Sequence, residues 1–168
     1  MTGSLSALHG TGIEVSVALS LKRRDIDLLR REIHGKGTKT KARERVAKVA
    51  EWAWPLVEGH VAFLNSHIPL ATPNALLFPG ISRHLATHKH RKACQALGIE
   101  DYRLKDSRHT YAVRAIRAGA PFEVVARQLG HVDTTMVVRV YGRFKPSEVE
   151  MTNWERIAAI QDSAVAAS

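Results

Sequence analysis

Cysteine is almost absent from this chain of 168 residues, because Cys94 is the only one. A single cysteine excludes an intrachain disulfide and any zinc site built from cysteines. Long apolar runs are also missing: no stretch reaches the roughly 18 consecutive apolar residues that indicate a membrane-spanning helix. No basic and apolar leader with a cleavage site opens the sequence. We therefore expect a cytoplasmic protein with no membrane partner.

Acidic and aromatic residues are scarce as well. Asp and Glu number 16 against 25 Lys and Arg, which gives a formal net charge of +9 and a pI near 10.1. An excess of this size indicates a polyanionic partner, and nucleic acid fits a chain without membrane segments. Aromatics make up 6% of the residues, but the apolar share of 45% is enough for the core of one globular domain.

The most informative stretch spans residues 104–141. Apolar periodicity predicts one helix that opens near Arg108 and is stopped by Gly119-Ala-Pro121, a second over Phe122–Leu129, and a third over Thr134–Tyr141. Helices this short are not stable alone and must pack together. The packing could bring Arg108, His131 and Tyr141 close to one another.

Such a trio has chemistry suited to a phosphate ester. A guanidinium binds phosphate oxygens through paired donors, an imidazole donates to another oxygen, and a phenol can attack phosphorus. A plain alternative is a helix-turn-helix, in which Thr134, Thr135 and Arg139 would face DNA and Tyr141 would be a packing aromatic. That alternative explains neither the segment RHTYAV nor the basic hairpin upstream.

The same stretch resembles the catalytic domain of tyrosine recombinases of the phage integrase type. The family's signature corresponds here to Lys105-Asp-Ser-Arg108, Leu129-Gly-His131 and Tyr141. The resemblance implies a mainly α fold with a small antiparallel β-sheet (α+β). It also implies one catalytic domain over residues 1–168, without the N-terminal core-binding domain that integrases usually carry.

The implied reaction is DNA strand cleavage and rejoining without metal or other cofactor, in a bacterial or phage-host cell at the nucleoid. Tyr141 would attack a phosphate and form a 3′-phosphotyrosyl link, while Arg108, Lys105 and His131 hold the other oxygens. Lys36 would protonate the leaving 5′ oxygen, with Lys39 as the alternative. Asp106 and His109 are expected to orient neighbours rather than to contact phosphate.

One position departs from the family. Related enzymes carry an arginine in the motif Thr-Gly-x-Arg, where this chain has Thr11-Gly-Ile-Glu14. A carboxylate near phosphate repels it, and the loss of one donor to a charged transition state costs about 10²–10³ in rate. Either another basic side chain replaces the arginine, with Lys22, Arg23 and Arg24 the nearest in sequence, or the chain is a DNA-binding relic.

Residues 25–49 suggest a β-hairpin: a strand through DIDLLRREI, a turn at His34–Gly37 and a second strand after it. A basic amphipathic helix is predicted within residues 81–99. Two groups of side chains are expected to contact DNA backbone. They are Lys39, Lys41 and Arg43 in the hairpin, and Lys89, Arg91 and Lys92 on the helix.

Two further helices are predicted. The segment Glu51–His67 should be helical, with Trp52, Trp54, Leu56, Val61, Phe63 and Leu64 in the core. A last helix within residues 147–165 resembles the C-terminal helix that related recombinases dock onto a neighbouring protomer, which implies self-association into a synaptic tetramer. His84 and His88 have the i,i+4 spacing of metal ligands, but no third ligand motif accompanies them, and we expect no metal.

The charge generates the first testable prediction. If about five to eight phosphates are contacted, the logarithm of the DNA association constant should fall by about 0.9 per phosphate for each unit in the logarithm of salt concentration. Fluorescence anisotropy with a labelled duplex across a salt series measures this slope. A flat titration would exclude DNA as the partner.

Overall fold

In the computed structural model, helices surround a small antiparallel sheet, as the resemblance implied. The structure describes residues 9–36, 44–67 and 73–147. Among these residues the sheet has three strands in the order β1-β2-β3: β1 is Ile26–Asp27, β2 is Glu32–Lys36 and β3 is Glu44–Lys48. Ile33 pairs with Ala47 across β2 and β3, and both side chains are fully buried. The fold is therefore of the α+β class.

The helices follow the predicted periodicity closely. We label them α1 (Val15–Ser20), α2 (Trp54–His67), α3 (Arg83–Ala96), α4 (Asp106–Arg117), α5 (Phe122–Leu129) and α6 (Thr135–Tyr141). Gly130 ends α5 with a φ of 74°, in the left-handed region where glycine carries no steric penalty. None of the helices in the described ranges is long and apolar enough to cross a membrane.

The predicted hairpin is present as β2 and β3, but its predicted turn residues are partly wrong. His34–Lys36 lie within β2 and pair with β3 as far as Lys36–Glu44, so the connection between the two strands lies outside the described residues. An additional turn, which was not predicted, interrupts the first strand after Asp27. The Asp27 carboxylate Oδ1 accepts hydrogen bonds there from the backbone N–H groups of Leu29 (3.0 Å) and Arg30 (2.9 Å), and such capture of backbone donors by a short side chain is a local turn signal.

Part of the predicted core of α2 is also wrong. Its buried stripe is formed by Trp54, Val57, Val61 and Leu64, whose spacing of three and four residues keeps them on one face. Leu56 and Phe63 point away from that stripe and are 43% and 55% exposed. Trp52 precedes the helix in a 3-10 turn and is 53% exposed. Trp54, Val61 and Leu64 are buried as predicted.

The buried apolar residues form two clusters. The first, which we call the sheet cluster, joins β2 and β3 to α1, α2 and the segment around Leu77. The second, the helical cluster, joins α4, α5 and α6 and includes Ile116, Leu129 and Tyr141. The polar residues of the sequence motif lie where these two clusters meet, so the relative position of the clusters decides the geometry of the site.

Gln128 on α5 connects the two clusters through hydrogen bonds. Its side-chain amide donates to the backbone oxygens of Thr11 (3.1 Å) and Lys48 (2.7 Å), and its Oε1 accepts from the Lys48 N–H (3.1 Å). Through its two hydrogen bonds to the Lys48 backbone, the side-chain amide pairs with β3 in the way that the backbone of an additional strand would. It also satisfies backbone groups that are costly to leave unpaired in a buried position.

We predict that Gln128→Ala lowers the free energy of unfolding by about 2–4 kcal/mol, since three hydrogen bonds are lost and a buried carbonyl is left without its donor. Urea denaturation measures the change. Gln95→Ala is the matched control, because Gln95 is exposed on α3. A loss for Gln128→Ala no larger than that of the control would contradict the role of Gln128.

Candidate active site

Arg108 is the residue around which the candidate site is built. It lies in the first turn of α4, and its side chain is partly buried. One terminal nitrogen, Nη1, donates to the backbone oxygen of Gly12 at 3.1 Å, and the other, Nη2, lies 3.2 Å from His131 Nε2. A guanidinium can only donate, so this contact requires His131 to present an unprotonated Nε2. The sequence prediction that Arg108 and His131 meet is confirmed.

Gly12 can approach Arg108 because it has no side chain. Its φ is 68°, and a Cβ atom there would lie 2.7 Å from Tyr111 Cδ1 and 2.9 Å from Leu129 Cδ2. Both distances are shorter than real carbon contacts allow. Glycine at this position therefore lets the backbone pack against the helical cluster and present its carbonyl oxygen to Arg108.

Tyr141 is buried at the end of α6, with 6% of its surface exposed. Its hydroxyl lies 2.6 Å from Nδ1 of His109, which lies one residue after Arg108 on α4. Burial raises the pKa of the Tyr141 phenol above its ordinary value, and the positive charge of Arg108 partly offsets this increase in pKa. The phenol is therefore held in its neutral form beside an imidazole and close to a guanidinium.

A cleft of about 170 Å³ opens beside Arg108. It is bounded by residues 13–16 at the start of α1, by Arg83 at the start of α3 and by Lys105, Ser107 and Arg108 around the start of α4. The polar side chains on its walls are those of Glu14, Ser16, Arg83, Lys105, Ser107 and Arg108. Three of these side chains carry a positive charge and one, that of Glu14, carries a negative charge, which suits a small anion such as one phosphate group.

The other residues predicted from the sequence divide into three groups. Lys105 is exposed and borders the cleft. Lys89, Arg91 and Lys92 are exposed on α3, so they are accessible to a partner. Lys36 ends β2, and the structure does not describe its side chain; Lys39, Lys41, Arg43 and the predicted C-terminal helix lie outside the described residues.

Two features of the site were not predicted from the sequence. Lys22, Arg23 and Arg24 are not among the residues that border the cleft, whereas Arg83 is. Nothing in the local sequence marks Arg83, because only the packing of α3 against α1 brings it there.

Across the part of the chain that the structure describes, no three His, Cys, Asp or Glu side chains gather as metal ligands.

The comparisons with known proteins identify the family and the fold. The model of the phage integrase family matches residues 4–148. Tyrosine recombinase XerC of Bradyrhizobium diazoefficiens is 26% identical, over 84% of this chain and 49% of the relative. Thus the chain spans about half the length of this relative.

Solved structures show the same fold. The crystal structure of XerA recombinase superposes with a TM-score of 0.72 at 20% identity, over 93% of this chain and 55% of that one. XerH site-specific recombinase, solved with a palindromic difH substrate in a post-cleavage complex, gives 0.70 at 19% identity, over 95% of this chain and 45% of that one. The fold is that of a tyrosine recombinase catalytic domain. The chain belongs to the phage integrase family.

The electrostatics of the site generate a prediction about Tyr141. Because the Arg108 charge lowers the pKa of this phenol, Arg108→Ala should raise that pKa further, whereas Arg108→Lys retains a positive charge and should raise it less. NMR titration of ring-labelled tyrosine measures the change, and Tyr141→Phe assigns the signal among the three tyrosines. An unchanged pKa in Arg108→Ala would show that the guanidinium does not act on the phenol.

Proposed function

We propose that this chain is the catalytic domain of a site-specific DNA recombinase, which cleaves and rejoins DNA strands through a 3′-phosphotyrosyl intermediate. The observation that carries the proposal is the pairing of Tyr141 with His109 at 2.6 Å, next to the Arg108–His131 pair at 3.2 Å. A phenol attacks phosphorus poorly unless nearby groups stabilise the developing charge and accept its proton. This arrangement provides both.

In this mechanism Arg108, His131 and Lys105 hold the non-bridging oxygens of the attacked phosphate. Arg108 contacts Gly12 and His131 through its two terminal nitrogens, which holds its positive charge at the edge of the cleft where the phosphate would bind. Lys105 adds a second positive charge on the same cleft. Preorganised cations of this kind stabilise a transition state without first reorganising. The reaction proposed needs no metal or other cofactor.

Proton transfers complete the cycle. As the Tyr141 oxygen bonds to phosphorus, its proton passes to His109 Nδ1, and the bond from phosphorus to the 5′ oxygen breaks. Lys36 would protonate that 5′ oxygen, because an ammonium group can donate both charge and proton. Rejoining is the reverse reaction, in which a 5′ hydroxyl attacks the phosphotyrosine and Tyr141 recovers its proton.

The partner proposed is double-stranded DNA, whose phosphates match the net charge of +9. Lys89, Arg91 and Lys92 on α3 would contact the backbone, together with Lys39, Lys41 and Arg43. The solved complex of XerH with its difH substrate supports this, because the two domains share a fold. Binding to chromosomal DNA would place the protein at the bacterial nucleoid. Self-association as a tetramer through residues 147–165 is part of the same proposal.

A second candidate function is a DNA-binding relic that no longer cleaves. Glu14 favours it, because this carboxylate lies on the wall of the cleft beside Lys105 and Arg108. A negative charge there opposes the binding of a phosphate and of the transition state. The two candidates differ in one observable property, which is the formation of a covalent complex with DNA.

We predict that the parent protein forms a covalent complex with a nicked duplex whose short fragment diffuses away after cleavage, so that rejoining is prevented. Tyr141→Phe retains the buried ring but lacks the attacking oxygen, so it should bind DNA normally and form no complex. Denaturing gel electrophoresis measures the complex. Tyr102→Phe is the matched control, because it removes a hydroxyl that contacts Thr110 outside the site.

A covalent complex that persists in Tyr141→Phe would assign the nucleophile to another residue. If the parent protein binds the duplex but forms no complex, the relic is the correct interpretation.

A further inference from the structure

The cleft beside Arg108 contains one cation more than the sequence motif accounts for. Lys105 and Arg108 belong to the motif. Arg83 does not, because it lies on α3, 25 residues before Arg108 in the chain. With Glu14 on the same cleft, the three cations leave it with a net charge of two positive units. Without Arg83, Glu14 would cancel one of the two remaining cations.

Arg83 is held at the cleft by the way its helix begins. The Ser82 hydroxyl oxygen accepts a hydrogen bond from the Leu85 N–H at 3.1 Å, which makes Ser82 the N-cap and Arg83 the first helical residue of α3. Helix α3 in turn packs against α1, the helix that Glu14 precedes. The Arg83 backbone is therefore fixed relative to the start of α1, and its side chain borders the same cleft as Lys105 and Arg108.

The side chain of Arg83 is available for a ligand. It is exposed, and among the described residues it takes part in no hydrogen bond or ion pair. Arg108 differs, because Gly12 and His131 already occupy its two terminal nitrogens in part. A second guanidinium with unoccupied donors can bind two phosphate oxygens side by side, which a lysine cannot do.

We propose that Arg83 supplies the second guanidinium that contacts the attacked DNA phosphate, in place of the arginine that Glu14 replaces. This inference rests on the proposed function, and it assigns to that site a residue that the motif does not contain. The negative charge on a phosphoryl group is spread over its outer oxygens during transfer, so Arg83 acts on the non-bridging oxygens with Arg108 and Lys105. With Glu14 at the start of α1, the second arginine of the cleft comes from α3 instead, so the cleft keeps that positive charge.

The first test compares DNA cleavage with DNA affinity. In Arg83→Ala the rate of covalent complex formation on the nicked duplex should fall by about 10²–10³-fold, as for other preorganised donors. The dissociation constant for DNA should change less than about tenfold, because one phosphate among many is affected. Arg83→Lys should lie between the parent and Arg83→Ala. Arg114→Ala removes the same charge from an exposed position on α4 and should retain the parent rate.

A rescue variant separates a role at the phosphate from a structural role. If Glu14 and Arg83 border one phosphate site, the double variant Glu14→Arg/Arg83→Ala should recover at least about tenfold in rate over Arg83→Ala. A structural defect at α3 would not be repaired by a change at the start of α1. Equal rates for Arg83→Ala and Arg114→Ala, or the absence of rescue, would overturn the inference.

A second measurement applies if the parent protein forms no covalent complex, which would refute the proposed function by itself. Binding of inorganic phosphate to the protein without DNA is then followed through the NMR signals of the arginine side chains. Arg83→Ala and Arg108→Ala should each weaken phosphate binding, whereas Arg114→Ala should not. If phosphate binds equally well to Arg83→Ala and to the parent, or binds to neither, the assignment of Arg83 is wrong.

Discussion

The contact between Arg108 and the Gly12 carbonyl is the interaction on which the site depends. Arg108 lies on α4, in the helical cluster, and Gly12 lies just before α1, in the segment that leads into the sheet cluster. The adjacent carbonyl, that of Thr11, accepts a hydrogen bond from Gln128 on α5. Two consecutive backbone oxygens are thus bound by two different helices. This double attachment fixes the start of α1, and with it the cleft, against the residues that would carry out the chemistry.

This attachment also explains why the site combines burial with charge. Tyr141 is packed in the helical cluster, where burial raises the pKa of its phenol, yet it lies close enough to Arg108 for the positive charge to lower that pKa in part. One of the two partners that hold the guanidinium in this partly buried position, the Gly12 carbonyl, is within reach only when the two clusters are docked. Docking of the clusters therefore positions the site, and any change that separates them should affect both the fold and the site.

The sequence predicted the helical cluster well and the sheet poorly. Gly119 and Gly130 follow the ends of α4 and α5, and the apolar spacing before each glycine indicates the helix, so the sequence was enough to predict the contact between Arg108 and His131. The contact of Tyr141 with His109 was not predicted, because it arises from the packing of α6 against α4. The strands are short, and the turn after Asp27 depends on side-chain hydrogen bonds that apolar alternation does not reveal. Arg83 could not be predicted, because its place in the cleft arises from packing between α1 and α3 rather than from sequence spacing.

The glutamate at position 14 shows that a departure from the family motif should be assessed by the charges that surround the phosphate site, and not by the one motif residue alone. A phosphate responds to the cations within a few ångströms and to their hydrogen-bond geometry, whatever the order of those residues in the chain. In this cleft the start of α1 contributes a carboxylate, but the start of α3 contributes a guanidinium. A loss in the motif is therefore a loss of function only if no other element reaches the same phosphate, and here α3 does reach the cleft.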